Sequence, residues 1–274
     1  SSQLHIKIRT DNLVHHRKMV SEWRLAVLCS DWDALESIRI FVHNIVGRCR
    51  RAMSPFLFHL LITYNAMNKI LFTADLHFGH TNILKHQPNR PFASEPDTRL
   101  HDEWLMDLWK SSVDKKDMLY ILGDLTFLKS DEARRLLEKL PGRKYMILGN
   151  HDGSIKAYSN YFMRFEQMLD VTIKPTLCPE LPVDVMLTMC HYPMVTWNHK
   201  PYGSIMLHGH CHGKLDEYNA ASPDLRFDVG IDGQLSAKYG GFIPMEAIYA
   251  EAMAKTGGVS THEYAKNSYE SAKK

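Results

Sequence analysis

Five apolar runs of the chain end on side chains that commonly bind metal ions. The stretch LGNHDG at 148–153, for example, places an amide, an imidazole and a carboxylate directly after an apolar run. An ordinary turn would accept similar residue types, because Asn, Asp and Gly adopt turn geometry easily. Repetition over five runs argues for a site instead. The seven candidate ligands are Asp75, His77, Asp124, Asn150, His191, His210 and His212.

These donors favour hard-to-borderline divalent ions. The set offers carboxylates, imidazoles and one amide oxygen but no matched thiolates, which suits Mn, Fe, Zn or Ni better than a structural zinc site. Seven ligands are too many for one open catalytic ion, and they suffice for two ions if one carboxylate bridges. Paired ions, about 3.5–4 Å apart, clamp the attacking and leaving oxygens of a displacement at phosphorus. We expect two divalent ions, with Mn²⁺ as first choice and Fe, Zn or Ni as alternatives.

The elements that must position these side chains are short strands and helices that alternate over residues 67 to about 250, which predicts an α/β sandwich. Strands are predicted at 69–74, 118–122, 144–148, 183–190, 204–207 and 225–229. Helices are predicted at 96–113, 130–140, 152–169 and 244–254. In open α/β folds the carboxyl ends of the strands converge on the crevice where ligands bind. The seven candidates are therefore expected at one edge of the sheet.

The first 66 residues have a helical pattern and none of the metal-ligand motifs. Ser30-Asp-Trp-Asp33 fits a capping box, and apolar residues follow at helical spacing as far as Gly47. We predict a helical N-terminal extension over 1–66, an α/β domain over 67–254 and a polar, loosely held C-terminal tail over 255–274.

Composition and charge limit the function classes. A chain of 274 residues with 45% hydrophobic and 23% charged residues is typical of a globular protein, and its longest apolar stretch is far shorter than a membrane span. Five scattered cysteines and no evident secretory signal favour a cytoplasmic protein without membrane contact. Residues 1–66 carry nine Lys or Arg against five Asp or Glu. This segment could attract nucleic acid, although a solvated helix face is the commoner explanation.

The motifs resemble a known superfamily. Asp-x-His at 75–77, Gly-Asp at 123–124, Gly-Asn-His-Asp at 149–152, the lone His191 and Gly-His-x-His at 209–212 are similar, in this order, to the five motifs of the calcineurin-like metallophosphoesterases. The stretches FTADLHFGHTNIL, NRPF, HYPMVTW and LHGHCHG look like the small, uncapped members common in bacteria and their phages. The resemblance covers about residues 67–250 and implies a four-layer α-β-β-α sandwich.

The resemblance also implies how the ligands divide between two ions. It assigns one ion to Asp75, His77 and His212. It assigns the other ion to Asn150, His191 and His210. Asp124 would bridge both, and a hydroxide shared by the ions would attack phosphorus.

The two residues that follow Asn150, His151 and Asp152, would assist the reaction. By the same resemblance, His151 is the general acid that protonates the leaving oxygen, a task suited to imidazole near pH 7. Asp152 would orient His151, because a carboxylate partner fixes the direction of an imidazole. Asp228 and Asp232 are expected to brace a strand end rather than bind metal.

Substrate contacts are expected from polar and aromatic side chains near the motifs. For His80, Arg90, Trp197 and His199 the alternative is a role in holding or packing a loop. The expected contacts are His80, Arg90, Asn150, Trp197 and His199.

The function that the motifs favour is hydrolysis of a small phosphoester, with phosphodiesters preferred because an uncapped site has room for both substituents. Three alternatives stay open: a phosphomonoesterase acting on a phosphorylated metabolite, a nuclease, and a non-catalytic scaffold of the same fold. The sequence predicts no oligomeric state.

Overall fold

The computed structural model describes residues 68–93 and 97–271. The predicted helical extension over residues 1–66, with its basic segment, lies outside the described residues and stays a prediction. No helix in the described ranges is both long and apolar enough to cross a membrane.

The first sheet has five strands: β1 (Ile70–Thr73), β2 (Met118–Leu122), β3 (Arg143–Ile147), β4 (Arg164–Glu166) and β9 (Ile243–Pro244). Their order across the sheet is β4-β3-β2-β1-β9. Strands β1 to β4 run parallel, with Phe72 of β1 opposite Tyr120 of β2, whereas β9 pairs antiparallel with β1. Every residue of β1 and β2 is buried, which explains why both strands are continuous apolar runs in the sequence.

The second sheet has four strands: β5 (Met168–Ile173), β6 (Val185–Cys190), β7 (Ile205–His208) and β8 (Arg226–Asp228). Their order across the sheet is β5-β6-β7-β8. Strands β6, β7 and β8 are parallel, and β5 pairs antiparallel with β6 at the edge. Both sheets therefore have parallel strands that can deliver loop residues to one edge.

Seven helices and two 3₁₀ segments complete the described part of the chain. The helices are α1 (Ile83–His86), α2 (Thr98–Ser112), α3 (Ser130–Lys139), α4 (Asp216–Ala221), α5 (Gln234–Tyr239), α6 (Met245–Lys255) and α7 (Thr261–Ser271). The 3₁₀ segments are Asp152–Tyr161 and Lys200–Tyr202. Helix α2 begins where it does because the Asp97 carboxylate accepts a 3.0 Å hydrogen bond from the Leu100 backbone N–H.

The apolar core lies in two layers separated by the first sheet. Phe72 packs between the sheets in the same cluster as Leu187 and Leu207 of the second sheet. The neighbouring residue Leu71 points the other way and belongs to the cluster that contains Trp109 of α2. This alternation is the expected consequence of strand geometry, in which successive side chains face opposite sides of the sheet.

Helix α4 covers the outer face of the second sheet. Asn219 of α4 lies 3.0 Å from Nε2 of His208, and its Oδ1 accepts a 2.8 Å hydrogen bond from Nε of Arg226. With α2 on the outer side of the first sheet, the layers are helix, sheet, sheet and helix. The predicted α-β-β-α sandwich is confirmed.

Two predictions of local structure are wrong. Residues 152–169, predicted as a helix, form a 3₁₀ segment and then β4 and the start of β5. Along β5, exposed and partly buried residues alternate, as at a sheet edge, and this leaves little apolar signal in the sequence. The expected loose C-terminal tail contains α7, where the Tyr264 hydroxyl donates a 3.1 Å hydrogen bond to the Pro223 carbonyl.

Candidate metal centre

The strand ends bring the predicted ligands together in two overlapping groups. One group contains Asp75, His77 and His212, and the other contains Asp75, Asp124 and His191. Within each group, the ligand atoms lie within 4.8 Å of one another. Four of these five residues are buried, and His212 is partly buried. Each group can therefore hold a cation, and Asp75 belongs to both.

Asp124 also stands between the two groups. Its Oδ2 atom lies 3.7 Å from Nε2 of His77 and 3.5 Å from Nε2 of His191. Since those two imidazoles belong to different groups, the Asp124 carboxylate lies between the groups.

The other predicted ligands, Asn150 and His210, lie near His191, and His212 lies near His77. Asn150 Oδ1 lies 3.1 Å from Nε2 of His191. The His210 ring centroid is 5.0 Å from that of His191, and the His212 centroid is 5.1 Å from that of His77. The structure thus brings all seven predicted ligands to one place, with Asn150 and His210 beside His191 and with His212 beside His77.

The backbone at these ligands adopts a conformation that L-residues rarely use. Five of the seven described non-glycine residues with positive φ are predicted ligands, and strain of this kind gathers at functional sites. They are Asp75 (φ 58), His77 (φ 57), Asp124 (φ 53), His210 (φ 69) and His212 (φ 51). Hydrogen bonds between the turns hold the conformation, including one of 3.0 Å from the Asp75 N–H to the Gly123 carbonyl.

A glycine permits the close approach of two motifs. A Cβ atom at Gly149 would collide with the carboxylate of Asp124 and lie 2.7 Å from its backbone nitrogen. The glycine before Asn150 is therefore required by the position of Asp124 and not by an unusual φ angle.

The environment of His77 fits a metal ion. Both ring nitrogens are buried, and neither has a hydrogen-bond partner among the described residues. Burial, together with the nearby charge of Arg90, lowers the pKa of His77 to about 2, so the ring is neutral and has a lone pair available for a cation. A buried imidazole without partners is costly, and a bound ion would remove that cost.

The carboxylates require positive charge as well. Burial, followed by the charges of Asp228 and Asp124, raises the pKa of Asp75 well above its usual value. Several buried carboxylates with few cations nearby repel one another, and a divalent ion would relieve this repulsion. Carboxylate, imidazole and amide donors therefore fit divalent ions of the type expected from the sequence.

Asp152 does not orient His151, which corrects the sequence-based expectation. Its carboxylate accepts hydrogen bonds from the backbone N–H groups of Asp124 (2.8 Å), Leu125 (2.9 Å) and Gly149 (2.7 Å). No hydrogen bond joins it to the His151 ring in the described part of the chain. A fully buried carboxylate requires donors, and these three N–H groups supply them. Through these hydrogen bonds, Asp152 connects the residues that follow β2 to the turn that follows β3.

His151 lies at the exposed edge of the centre. Its side chain is exposed, and its ring centroid lies 5.9 Å from that of His77 and 4.6 Å from that of Phe127. Its backbone N–H donates a 2.9 Å hydrogen bond to Oδ1 of Asp124. His80 lies on the same side, stacked on Phe127 with the ring centroids 4.0 Å apart. Phe127 carried no signal in the sequence.

Arg90 is not placed to contact substrate. It is 5% exposed, and all five of its N–H donors face acceptors of the protein. Two of them, on Nε and Nη2, donate hydrogen bonds of 2.7 Å each to the Asp232 carboxylate. The expected substrate contact is therefore corrected to a structural one.

Asp232 in turn contacts a predicted metal ligand. Its Oδ2 lies 2.6 Å from Nδ1 of His212. Burial alone would raise the pKa of Asp232, but hydrogen bonds from Arg90 and His212 lower it to about 2. The sequence suggested only that Asp232 braces a strand end. Asp228 does so, accepting hydrogen bonds from the N–H groups of Gly230 and Gly213.

Trp197 and His199 contact residues outside the set of predicted metal ligands. Trp197 is buried, and its Nε1–H donates a 3.1 Å hydrogen bond to the Ser204 carbonyl. His199 is exposed, with its ring centroid 6.0 Å from that of Tyr202. Within the described ranges, neither residue hydrogen-bonds to a predicted metal ligand. Tyr192, by contrast, does contact a predicted ligand, since its ring centroid lies 4.7 Å from that of His210.

Comparison with known proteins finds similar chains in a phage, an archaeon and a bacterium. The chain is 31% identical over 187 residues to the gene 66 protein of Mycobacterium phage D29, covering 61% of this chain and 89% of the phage protein. It is 42% identical over 89 residues to an uncharacterized protein of Methanocaldococcus jannaschii, covering 32% of this chain and 48% of that protein. A solved structure of a protein of unknown function from Aquifex aeolicus is 21% identical, with a TM-score of 0.49, over 67% of this chain and 99% of that one.

The family model for calcineurin-like phosphoesterases matches residues 68–210, slightly more than half of the chain. This range includes Asp75, Asp124, Asn150, His191 and His210. The chain belongs to the calcineurin-like phosphoesterase family.

Proposed function

We propose that this protein hydrolyses phosphodiester bonds with the help of two divalent metal ions. The observation that carries the proposal is the pair of overlapping ligand groups that share Asp75, with Asp124 placed between His77 and His191. When bound, two ions would lower the pKa of water and stabilise negative charge on the phosphoryl oxygens. Mn²⁺ is our first choice, with Fe, Zn or Ni as alternatives.

Individual residues would bind one of the ions and donate a proton. Asp75, His77 and His212 would hold one ion, and the neutral state of His77 is the state that binds metal. The exposed side of the centre would receive the phosphate of the substrate. There His151 would donate a proton to the leaving oxygen, since its ring is accessible and its backbone is anchored to Asp124.

The preference for diesters rests on charge and access. A phosphate monoester carries two negative charges and is commonly clamped by arginine. Arg90 has no free N–H, and Arg143 lies at the start of β3, the end opposite the metal ligands, where its Nε–H donates to the Lys116 carbonyl. Asn150, His151 and His210 are exposed, which leaves an open mouth for both substituents of a diester.

The proposal is tested by comparing hydrolysis of bis-p-nitrophenyl phosphate and p-nitrophenyl phosphate by the full chain with added Mn²⁺. We expect faster turnover of the diester, with no turnover of either substrate after chelation. The variant Asp124→Asn is the control for contaminating hydrolases, because it weakens ligation on both sides of the centre. Faster turnover of the monoester would contradict the diester preference and leave the metal-dependent hydrolase in place.

The predicted contact between nucleic acid and residues 1–66 is a separate proposal, because that segment lies outside the described residues. It is tested by deleting residues 1–66 and measuring salt-dependent binding of single- and double-stranded DNA and RNA. Binding that survives the deletion would contradict it.

A further inference from the structure

A buried chain of hydrogen bonds supports one side of the metal centre. His212 Nδ1 lies 2.6 Å from Oδ2 of Asp232. An ionised carboxylate can only accept hydrogen bonds, so the proton must be on Nδ1 and the lone pair on Nε2. Asp232 therefore fixes the tautomer of His212 in which Nε2 carries the lone pair and is available to a cation, the usual arrangement for a ligating imidazole.

Arg90 fixes Asp232 in turn. Its Nε and Nη2 atoms lie 2.7 Å from Oδ1 and Oδ2 of that carboxylate, which is the bidentate geometry of a strong charge-assisted pair. The Arg90 side chain is 2% exposed and that of Asp232 is 8% exposed, so water does not compete for these bonds. Residues 142 positions apart in the chain are joined here.

The same guanidinium holds the turn that carries the other two ligands of this group. Nη2 donates a 2.6 Å hydrogen bond to the Asp75 carbonyl, and Nη1 donates a 3.0 Å bond to the Leu76 carbonyl. Asp75 and His77, on either side of Leu76, both have positive φ and need such support. Arg90 thus supports all three ligands of this group. It bonds directly to the turn that carries Asp75 and His77, and it holds His212 through Asp232.

The other side of the centre has separate supports. His191 Nδ1 lies 2.8 Å from the Leu122 carbonyl, and its Nε2 faces Asn150. Among the hydrogen bonds of the described residues, none links Arg90 or Asp232 to Asp124, Asn150, His191 or His210. The Asp75 carboxylate, which both groups share, is held by the His210 N–H at 2.9 Å. Its position does not depend on Arg90 alone.

We infer that Arg90 and Asp232 are positioning residues for the ion held by Asp75, His77 and His212, and not for the ion on the side of His191. This inference rests on the proposed two-ion function. It predicts that damage to the pair weakens one ion selectively.

The test is calorimetric titration of the metal-free full chain with Mn²⁺. Wild-type protein should bind two equivalents. Asp232→Asn and Arg90→Lys should each keep one equivalent near wild-type affinity and bind the other about 10- to 100-fold more weakly, the usual range for loss of a support behind a metal ligand. Arg226→Lys is the matched control, because Arg226 is a buried arginine that bonds Asn219 on the outer face of the second sheet. The Arg226→Lys variant should bind two equivalents of Mn²⁺ with the wild-type affinities.

Double variants assign the weakened ion. Asp232→Asn combined with His77→Ala damages one side only and should still bind one equivalent tightly. Asp232→Asn combined with His191→Ala damages both sides and should bind none tightly. Circular dichroism of the metal-free variants verifies that they fold, and Asp232→Asn, which preserves side-chain shape, carries the test if Arg90→Lys does not fold.

Three results would overturn the inference in distinguishable ways. If Asp232→Asn bound two equivalents of Mn²⁺ with the wild-type affinities, the pair of Arg90 and Asp232 would not support metal binding. Equal weakening of both ions in a folded variant would show a general structural role. Fewer than two equivalents in wild-type protein would refute the two-ion function itself, and the inference with it.

Discussion

Asp152 Oδ2 accepts a 2.8 Å hydrogen bond from the backbone N–H of Asp124, the carboxylate residue that stands between the two ligand groups. Asp124 has a φ of 53°, a left-handed conformation that is unfavourable unless its surroundings impose it. Asp152 is fully buried, and it also accepts from Leu125 and Gly149. The carboxylate of Asp152 therefore sets the position of Asp124 through the backbone.

Asp152→Asn should lower both metal affinity and hydrolysis rate. An amide presents one oxygen and one NH₂ group to three N–H donors, so at least one donor loses its acceptor. We expect a loss of about 1–3 kcal/mol in the free energy of unfolding, together with weaker Mn²⁺ binding. Urea denaturation and calorimetric titration measure the two effects. A variant with lower rate but unchanged metal affinity and stability would instead favour an orienting role towards His151.

His151→Ala should keep both metal equivalents and lose rate in proportion to the need for a proton. The side chain is exposed, so its removal leaves stability nearly unchanged. On a diester with an alkyl leaving group we expect a loss of about 10²- to 10⁴-fold in kcat. On bis-p-nitrophenyl phosphate the loss should be much smaller, because p-nitrophenolate leaves without protonation. Equal losses on both substrates would rule out the general-acid role.

The clustering of the candidate metal ligands could be predicted from the sequence because each of them lies within four residues of the end of a strand. Strands β1 and β2 are buried along their whole length, so their apolar runs are plain and the polar residues after them stand out. The fold class follows from the same runs, since alternating strands and helices imply parallel sheets covered by helices.

Side-chain partners could not be predicted in the same way. Arg90 bonds Asp232, 142 positions away, and Asp152 bonds Asp124, 28 positions away. A single sequence shows that charged residues exist but not which of them are buried together. Edge strand β5 was missed for a related reason, since its half-exposed residues lack a continuous apolar run.

Tyr120→Phe should protect the protein at alkaline pH. Tyr120 is 3% exposed and stacks between Phe72 and Tyr145, with ring centroids 5.3 and 4.6 Å away. Burial, then the neighbouring Tyr145, raises the pKa of Tyr120 from 10.0 to about 12. Because the unfolded chain ionises first, this residue's contribution is intact below pH 10 and is lost as pH rises towards 12.

The expected loss for wild-type protein is about 1.4 kcal/mol per pH unit across that window. Urea denaturation at pH 8 and pH 11 should therefore show a drop in wild-type unfolding free energy that is about 1 kcal/mol larger than the drop in the Phe variant. Equal drops would mean that the Tyr120 hydroxyl ionises normally in the folded protein.

Gly149→Ala should displace the Asp124 carboxylate and weaken the centre, although Gly149 has no side chain with which to bind an ion. The added methyl would meet that carboxylate and the Asp124 backbone nitrogen, both fixed by Asp152 and His151. Overpacking of this kind costs about 1–3 kcal/mol, which corresponds to a roughly 10- to 100-fold loss of Mn²⁺ affinity if it acts on the metal-bound state. Gly153→Ala is the matched control, because a Cβ there meets nothing within 4 Å. Calorimetric titration of both variants decides the matter: equal Mn²⁺ affinities would show that the turn moves aside without disturbing Asp124.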